Sequence, residues 1–111
     1  MVKKERQRYL LFKIIKENNI SFNEQDLLKS IWQSIWRYFG MKEASKIGLW
    51  LLELDLKKEF GIIRFSHETN EMIISALTLV KEIKGFAVIL SPIKSSGTIK
   101  KINQLKNIII K

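Results

Sequence analysis

The segment SSGTIKK at residues 95–101 combines small polar residues, a glycine and two adjacent lysines. Gly97 lets the backbone approach a partner closely, and a Ser or Thr here can begin a helix. The unpaired N–H groups and the dipole at a helix start attract an anion, and Lys100 and Lys101 follow directly. The segment therefore predicts either a phosphate site or an ordinary helix cap with solvated lysines.

The placement of charge favours a polyanionic partner. The chain of 111 residues has a net charge of +9, and all of the excess lies at its two ends. Residues 1–16 hold six Lys or Arg and one Glu, and residues 94–111 hold five Lys and no acid. Residues 17–93 hold nine basic and ten acidic residues. Clustered cations release counterions from a phosphate backbone, so we expect a nucleic acid partner; a merely solubilising surface is the alternative.

Residues 58–65, KEFGIIRF, partly match the octamer of RNA-recognition sheets. The match fails at its central stacking position, which is Ile62. Phe12, on the first predicted strand, is expected to point toward the helices. A base-stacking platform at these positions is therefore not expected, and contacts to backbone phosphate fit the charge pattern better.

No group of residues predicts catalysis or metal binding. Glu53 and Asp55 share a strand face, but their spacing fits charge pairing with Arg64 or Lys13 better than acid–base chemistry. His67 stands alone. The absence of Cys excludes disulfides and thiolate metal sites and favours a reducing compartment. The three tryptophans, at 32, 36 and 50, are expected in the core, with an interface anchor as the alternative for one of them.

Hydrophobic periodicity predicts the elements that position these residues. Strands are expected at 7–16, 49–56, 61–67 and 86–93, and helices at about 21–40, 69–84 and 98–107. Ser21 and Glu24 fit a capping box, and Gly40 fits a helix end. The order predicts one α+β domain over 1–111, a ferredoxin-like, RRM-like βαββαβ sandwich. Its four-stranded antiparallel sheet would carry helices on one face, with a basic segment at 1–8 and an added C-terminal helix.

The second face of that sheet is expected to be mixed in character. Alternation along the strands places there Tyr9, Lys13, Leu49, Leu51, Glu53, Asp55, Ile62, Arg64, Ser66 and Ile89. Such a face is too apolar to be fully solvated, so part of it is expected to be covered.

The apolar runs are too short to span a bilayer, and residues 9–12 are too short for a signal peptide core. A cytoplasmic location is therefore expected.

Four segments together point to a known family. RYLLFKI at 8–14, SIWRYFG at 34–40, GIIRFSHE at 61–68 and SSGTIKK at 95–101 resemble, in this order and spacing, protein component 2 of archaeal ribonuclease P. The eukaryotic relatives of that family are the Pop subunits. The resemblance covers roughly residues 6–105. The connector at 41–48 lacks a glycine expected in the family.

The resemblance implies a non-catalytic subunit of the ribonucleoprotein that removes the 5′ leader of precursor tRNA. The RNA and its magnesium ions would be the catalyst, and this chain would need no cofactor. The expected partners are the ribonuclease P RNA, precursor tRNA indirectly, and the TIM-barrel protein component 3, with a heterotetramer of two such protein pairs. The alternatives are an interaction module of the same fold without RNA binding, and an autonomous nuclease.

Charge pattern and resemblance together nominate eleven RNA-binding residues. They are Lys3, Lys4, Arg6, Arg8, Arg64, Lys94, Ser96, Gly97, Thr98, Lys100 and Lys101.

Overall fold

The computed structural model describes residues 6–110. Over this range the elements are β1 (Gln7–Lys16), α1 (Glu24–Ala44), β2 (Trp50–Asp55), β3 (Phe60–Ser66), α2 (Asn70–Thr78), β4 (Glu82–Ile83), β5 (Phe86–Ser96) and α3 (Ile99–Ile109). A short 3-10 turn, His67–Thr69, leads into α2. The strands form one sheet in the order β2-β3-β1-β5-β4, and all neighbours are antiparallel.

The sheet has five strands where four were predicted, because the second helix ends earlier than its apolar periodicity suggests. α2 stops at Thr78, and residues 82–83 pair with the start of β5. Lys84 and Gly85 between them both have positive φ, 55° and 80°. Two successive positive φ values fit a two-residue type I′ hairpin turn. The turn leads directly into β5 at Phe86, so a hairpin occupies the place where the end of the second helix was predicted.

β1 is the central long strand and is buried on both faces. Leu10, Leu11 and Phe12 are all almost fully buried, although alternate residues point to opposite sides. Leu10 and Phe12 belong to the larger apolar cluster, with residues of α1 and α2. Leu11 belongs to a second cluster with Phe60 and Ile62 of β3, closed by Ile102 of α3. The helix pair α1–α2 therefore covers one face of the sheet, and α3 covers part of the other (the α3 face).

α1 begins two residues later than predicted. Its N-cap is Asn23, whose side chain accepts from the Asp26 N–H at 2.8 Å, while the Asp26 carboxylate accepts from the Asn23 N–H at 3.1 Å. The expected Ser21–Glu24 box was wrong. Gly40 does interrupt the helix, at φ 84°, but one further turn follows to Ala44.

A bulge in β2 overturns the predicted facing of its first half. The register shifts between Leu51 and Glu53, so alternation reverses there. Leu49 and Leu51 pack against the larger cluster rather than on the α3 face. Trp50, opposite Arg64, is turned out onto the α3 face and is 60% exposed. The expectation that Trp50 lies in the core was therefore wrong.

The tryptophans of α1 also differ from the predicted core. Trp32 is half-buried against the larger cluster, but Trp36 is 45% exposed. The two rings stack one turn apart with centroids 6.0 Å apart. Trp36 thus lies at the border of the buried stripe, because the helix needs only Leu27, Ile31 and Ile35 to fill its contact with the sheet.

Candidate nucleic-acid interface

The two basic ends of the chain meet in the sheet. The start of β1 pairs antiparallel with the end of β5, with Tyr9 opposite Ser96 and Leu11 opposite Lys94. Residues nearly ninety positions apart in sequence are therefore neighbours. Arg6 is exposed just before β1, and its carbonyl accepts from the His67 N–H at 2.8 Å. Lys3 and Lys4 lie outside the described residues.

A second bulge, in β5, sets which side chains face outward at this junction. The register between β1 and β5 shifts at Leu11–Phe12, where Phe12 faces Pro92 and Leu11 faces Lys94. One residue of β5, Ile93, is extra, and Pro at a bulge removes no ladder hydrogen bond. The bulge turns Lys94 and Ser96 onto the α3 face. The predicted strand end at 93 was wrong, since β5 continues to Ser96.

Four residues form a row across the strands on the α3 face. Trp50 lies opposite Arg64, Arg64 opposite Tyr9, and Tyr9 opposite Ser96. Directly opposite residues of antiparallel strands share a face. The Arg64 guanidinium carbon lies 5.6 Å from the centroid of the Trp50 ring, a cation–π distance. Arg64 Nε is buried and meets no hydrogen-bond acceptor within residues 6–110.

Arg8 lies on the opposite face of the sheet from Arg64. Its Nε donates to Ser95 Oγ, and Ser95 Oγ donates to Asn70 Oδ1 at 2.7 Å. Asn70 is the first residue of α2, so this chain of bonds ties β1, β5 and α2 together. The predicted arginines are thus divided: Arg8 is held on the helix-pair side, and Arg64 faces α3.

The SSGTIKK segment is divided between a strand and a helix. Ser96 is buried, and its hydroxyl accepts from the Thr98 N–H at 3.2 Å. Thr98 is the N-cap of α3 but makes no side-chain capping bond. Gly97 is exposed, with open space around the position of a Cβ. Lys100 and Lys101 are exposed on the first turn of α3.

α3 extends this positive surface over the sheet. It carries three lysines and no acid between Ile99 and Ile109, two residues beyond the predicted end. Between α3 and β5 lies a groove of about 290 Å³. It is lined by Lys94, Ser96, Lys101, Gln104, Leu105 and Ile108. Both lysines of the groove come from the set predicted to bind RNA.

The acidic residues of β2 are engaged within the chain. Glu53 accepts from Lys106 Nζ at 3.2 Å, and the same ammonium lies 5.8 Å from the Phe60 ring centroid. Asp55 accepts from the backbone N–H of Lys58 at 3.0 Å. This pairing neutralises Lys106, so within residues 6–110 Lys100 and Lys101 supply the unpaired positive charge of α3.

The histidine and acidic side chains of residues 6–110 are dispersed over the molecule. His67 is exposed, in the turn before α2. Across residues 6–110, no three His, Asp or Glu side chains group closely enough to hold a metal ion. Within the same range, no helix combines the length and hydropathy needed to cross a membrane.

Comparison with protein families identifies the family to which this domain belongs. A model of the Rpp14/Pop5 family matches residues 8–105, from the start of β1 into α3. The chain belongs to the Rpp14/Pop5 family. The match includes the paired strands β1 and β5 and both bulges, while Arg6 and Ile108 lie just outside it.

Two archaeal relatives match the Rpp14/Pop5 chain over most of their length, and both carry the name ribonuclease P protein component 2. The protein of Pyrococcus furiosus is 34% identical over 101 residues, which are 91% of this chain and 82% of that protein. The protein of Methanococcus aeolicus is 34% identical over 98 residues, 88% of this chain and 70% of that protein.

A solved structure shares the fold of this Rpp14/Pop5 chain. A chain in the cryo-EM structure of yeast ribonuclease MRP matches with a TM-score of 0.70, covering 96% of this chain and 95% of the other. The sequence identity is 12%, so the match speaks for the fold alone.

Sequence reasoning missed three residues that the structure adds to this Rpp14/Pop5 surface. Trp50 stands on the face of Arg64, while Ser95 and Asn70 hold Arg8. Simple alternation misplaces Trp50 and Ser95 because each lies beyond a bulge. Pro92 inside an apolar strand was the one available signal for the second bulge.

Proposed function

We propose that this chain is a protein subunit of ribonuclease P, the ribonucleoprotein endonuclease that removes the 5′ leader of precursor tRNA. Family membership and the names of the archaeal relatives support this role. The observation that carries it is the pairing of the start of β1 with the end of β5 through Tyr9 and Ser96, which brings Arg6 and Arg8 near Lys94 and the start of α3 at one end of the central strands.

In this proposal the chain binds the particle's RNA mainly through backbone phosphates. Lys94, Lys100 and Lys101 supply charge around the start of α3, and the unbonded N–H groups of its first turn supply directed donors. Arg8, fixed by Ser95, contributes from the opposite face of the sheet. Such contacts stabilise a folded RNA without reading its sequence.

The RNA carries out the cleavage. We place the magnesium ions of the reaction with that RNA, because phosphate oxygens are the hard ligands that Mg²⁺ prefers. This chain then acts by neutralising phosphate repulsion near the folded catalytic domain. A cytoplasmic location fits this role.

A protein partner fits the surface that remains. α1 exposes Trp36, Tyr38 and Met41, and large exposed aromatic residues are frequent in protein interfaces. We assign this side of the molecule to the TIM-barrel protein component 3, with two such pairs joining into a heterotetramer. The strand order β2-β3-β1-β5 supports a ferredoxin-like plan, to which β4 is an addition.

Reconstitution tests the role directly. The purified chain is mixed with its cognate RNA and barrel partner, and precursor tRNA cleavage is followed with and without the chain. We expect cleavage to rise when the chain is present, and filter binding to that RNA to weaken steeply with salt. Cleavage independent of the chain, or RNA affinity independent of salt, would count against the proposal.

The second candidate is an interaction module that binds protein without RNA. The exposed residues of α1 favour it. In that case partner binding survives while the salt-dependent RNA affinity is absent, so the same filter assay separates the two functions.

A further inference from the structure

Trp50 is an exposed aromatic residue that the phosphate contacts above do not use. It is the most exposed tryptophan of the chain, at 60%, and it stands on β2 within the sheet rather than on a loop. Packing explains why Leu49 and Leu51 turn inward beside it, since both join the larger cluster. It does not explain why a large aromatic ring occupies the outward position between them.

Arg64 braces the Trp50 ring from the neighbouring strand. The guanidinium carbon lies 5.6 Å from the ring centroid, and Arg64 itself is half-buried between β2 and β1. A guanidinium held over an indole face limits the motion of the ring, and the exposed fraction shows that much of the ring is still open to solvent. The arrangement is a fixed, flat surface with a cation beside it.

The row of Trp50, Arg64, Tyr9 and Ser96 connects this surface to the lysines. Three strand-to-strand steps of about 4.8 Å separate the ends of the row, so Trp50 lies roughly 14 Å from Ser96. Lys94 and Lys101 border the Ser96 end. The nearest acid along β2 on this face, Glu53, is paired with Lys106. The row itself holds no acidic residue, so none of its four side chains repels an RNA strand bound at both the lysines and the tryptophan.

We propose that Trp50, braced by Arg64, stacks an unpaired base of the RNA whose phosphates bind at the lysines. This inference rests on the proposed function and adds a preference for unpaired nucleotides. Aromatic side chains beside a positively charged groove are the means by which proteins hold single strands, because every base has a π-face. Bases inside a duplex are already stacked on their neighbours and are not available to the ring.

The position differs from the stacking positions of RNA-recognition sheets. Ile62 occupies the central site of that octamer and is buried under α3, and Phe12 faces the helix pair. The stacking residue here stands one strand further out, on β2, and only the bulge after Leu51 brings it to the α3 face.

Two substitutions at Trp50 and two RNA probes test the inference. The variants are Trp50→Ala and Trp50→Phe, and the probes are a short single-stranded RNA and a fully paired RNA of equal length. Trp50→Ala is expected to weaken single-strand binding about 5- to 150-fold, the range for loss of one stacked base. Its duplex affinity should change less than about twofold, and Trp50→Phe should retain most of the single-strand affinity.

The salt dependence separates stacking from phosphate contact. Stacking releases no counterions, so Trp50→Ala should leave the slope of log affinity against log salt unchanged. The Lys100→Ala, Lys101→Ala double variant should lower that slope for both probes. Quenching of tryptophan fluorescence by the single strand should be strong in the wild type and weaker in Trp50→Phe.

The outcomes distinguish the inference from the proposed function. If both probes bind with a steep salt slope and Trp50→Ala matches the wild type, the stacking site is refuted and the RNA-binding role stands. Equal losses on both probes would also refute it, since they would indicate a general electrostatic or folding change. Binding of a protein partner lost in Trp50→Ala, with RNA affinity kept, would assign the ring to a protein interface instead. A wild type that binds neither probe would overturn both proposals together.

Discussion

Gly61 and Gly97 lie in different surroundings: Gly61 is inside the sheet, and Gly97 is just before α3, in the proposed RNA interface. A Cβ on Gly61 would overlap the Phe12 ring, with Cε1 and Cε2 both at 3.0 Å. The ring is fully buried and cannot move aside. A Cβ on Gly97 would meet nothing within 4 Å. The first glycine thus serves packing, and the second is free of any packing requirement.

Gly61→Ala is therefore expected to lower the free energy of unfolding by about 1–3 kcal/mol, the usual range for overpacking a core. Gly97→Ala should stay within about 0.5 kcal/mol of the wild type. Urea denaturation measures both. Since Gly97→Ala folds normally, its RNA affinity can be read without a folding artefact, and a loss there would indicate close backbone approach by the RNA. Equal stability of the two variants would contradict the packing argument.

At the scale of elements, the start of α1 shows how two overlapping signals compete. Residues 21–26, SFNEQD, contain one capping box beginning at Ser21 and another at Asn23. Starting at Asn23 places Phe22 before the cap and Leu27 at the fourth helical position, and both are buried in the larger cluster. That pair is a hydrophobic staple. A helix with Ser21 as its N-cap would have Gln25 at the fourth helical position and could not form this apolar contact. The staple therefore explains why the helix uses Asn23 as its N-cap.

Asn23→Ala should cost about 1 kcal/mol of stability through loss of the cap. Ser21→Ala, its matched control two residues away, should change stability by less than about 0.5 kcal/mol. Thermal or urea unfolding of the two variants makes the comparison. A larger loss from Ser21→Ala than from Asn23→Ala would mean that the helix starts at the earlier box.

Among the strands, some features follow from local sequence and others do not. The four longer strands, β1, β2, β3 and β5, and the three helices follow from runs of apolar and β-branched residues and were confirmed, but β4 was not predicted. Trp50 was wrongly placed in the core, because a bulge adds one residue and reverses alternation across it. Ser96 was placed after a strand end at 93, although β5 continues through it. Bulges arise from pairing between distant strands, so local sequence carries little trace of them. Pro92 is the exception, since its missing N–H disfavours a regular ladder position.

α3 depends on a small apolar contact with the sheet. Ile102 is fully buried against Leu11, Phe60 and Ile62, whereas Ile108 is 68% exposed. Ile102→Ala should lower stability by about 2–5 kcal/mol and speed amide exchange in α3. Ile108→Ala should have little effect on either measurement. Unchanged exchange in Ile102→Ala would show that the Glu53–Lys106 pair holds the helix without the cluster.

At the scale of the whole molecule, topology turns a charge pattern in sequence into a charged surface. Neither basic end forms a surface alone, but the antiparallel pairing of β1 with β5 joins them. The composition predicted the polyanion partner, and the strand order supplies the place where it would bind. Contacts to individual nucleotides depend on the folded shape of the RNA, and the sequence of this chain does not determine that shape.

Two lysine pairs at opposite ends of the sheet allow a test of whether RNA binding depends on the position of the lysines when the net charge of the protein is the same. Lys57 and Lys58 lie in the β2–β3 turn, beyond the start of β3, which is itself roughly 13 Å along the strand from Arg64. Lys100 and Lys101 lie at the start of α3. Each double alanine variant removes two positive charges from exposed sites, so net charge and expected stability match.

Only the variant at Lys100 and Lys101 should lower the salt slope of RNA binding, by about 1.4 to 1.8 for two lost phosphate contacts. The variant at Lys57 and Lys58 should bind nearly as the wild type does, because charges farther away than a Debye length of about 8 Å are largely screened. Filter binding to the cognate RNA over a range of salt concentrations gives both slopes. Equal slopes in the two variants would mean that net charge alone, and not the joined ends of the chain, drives binding.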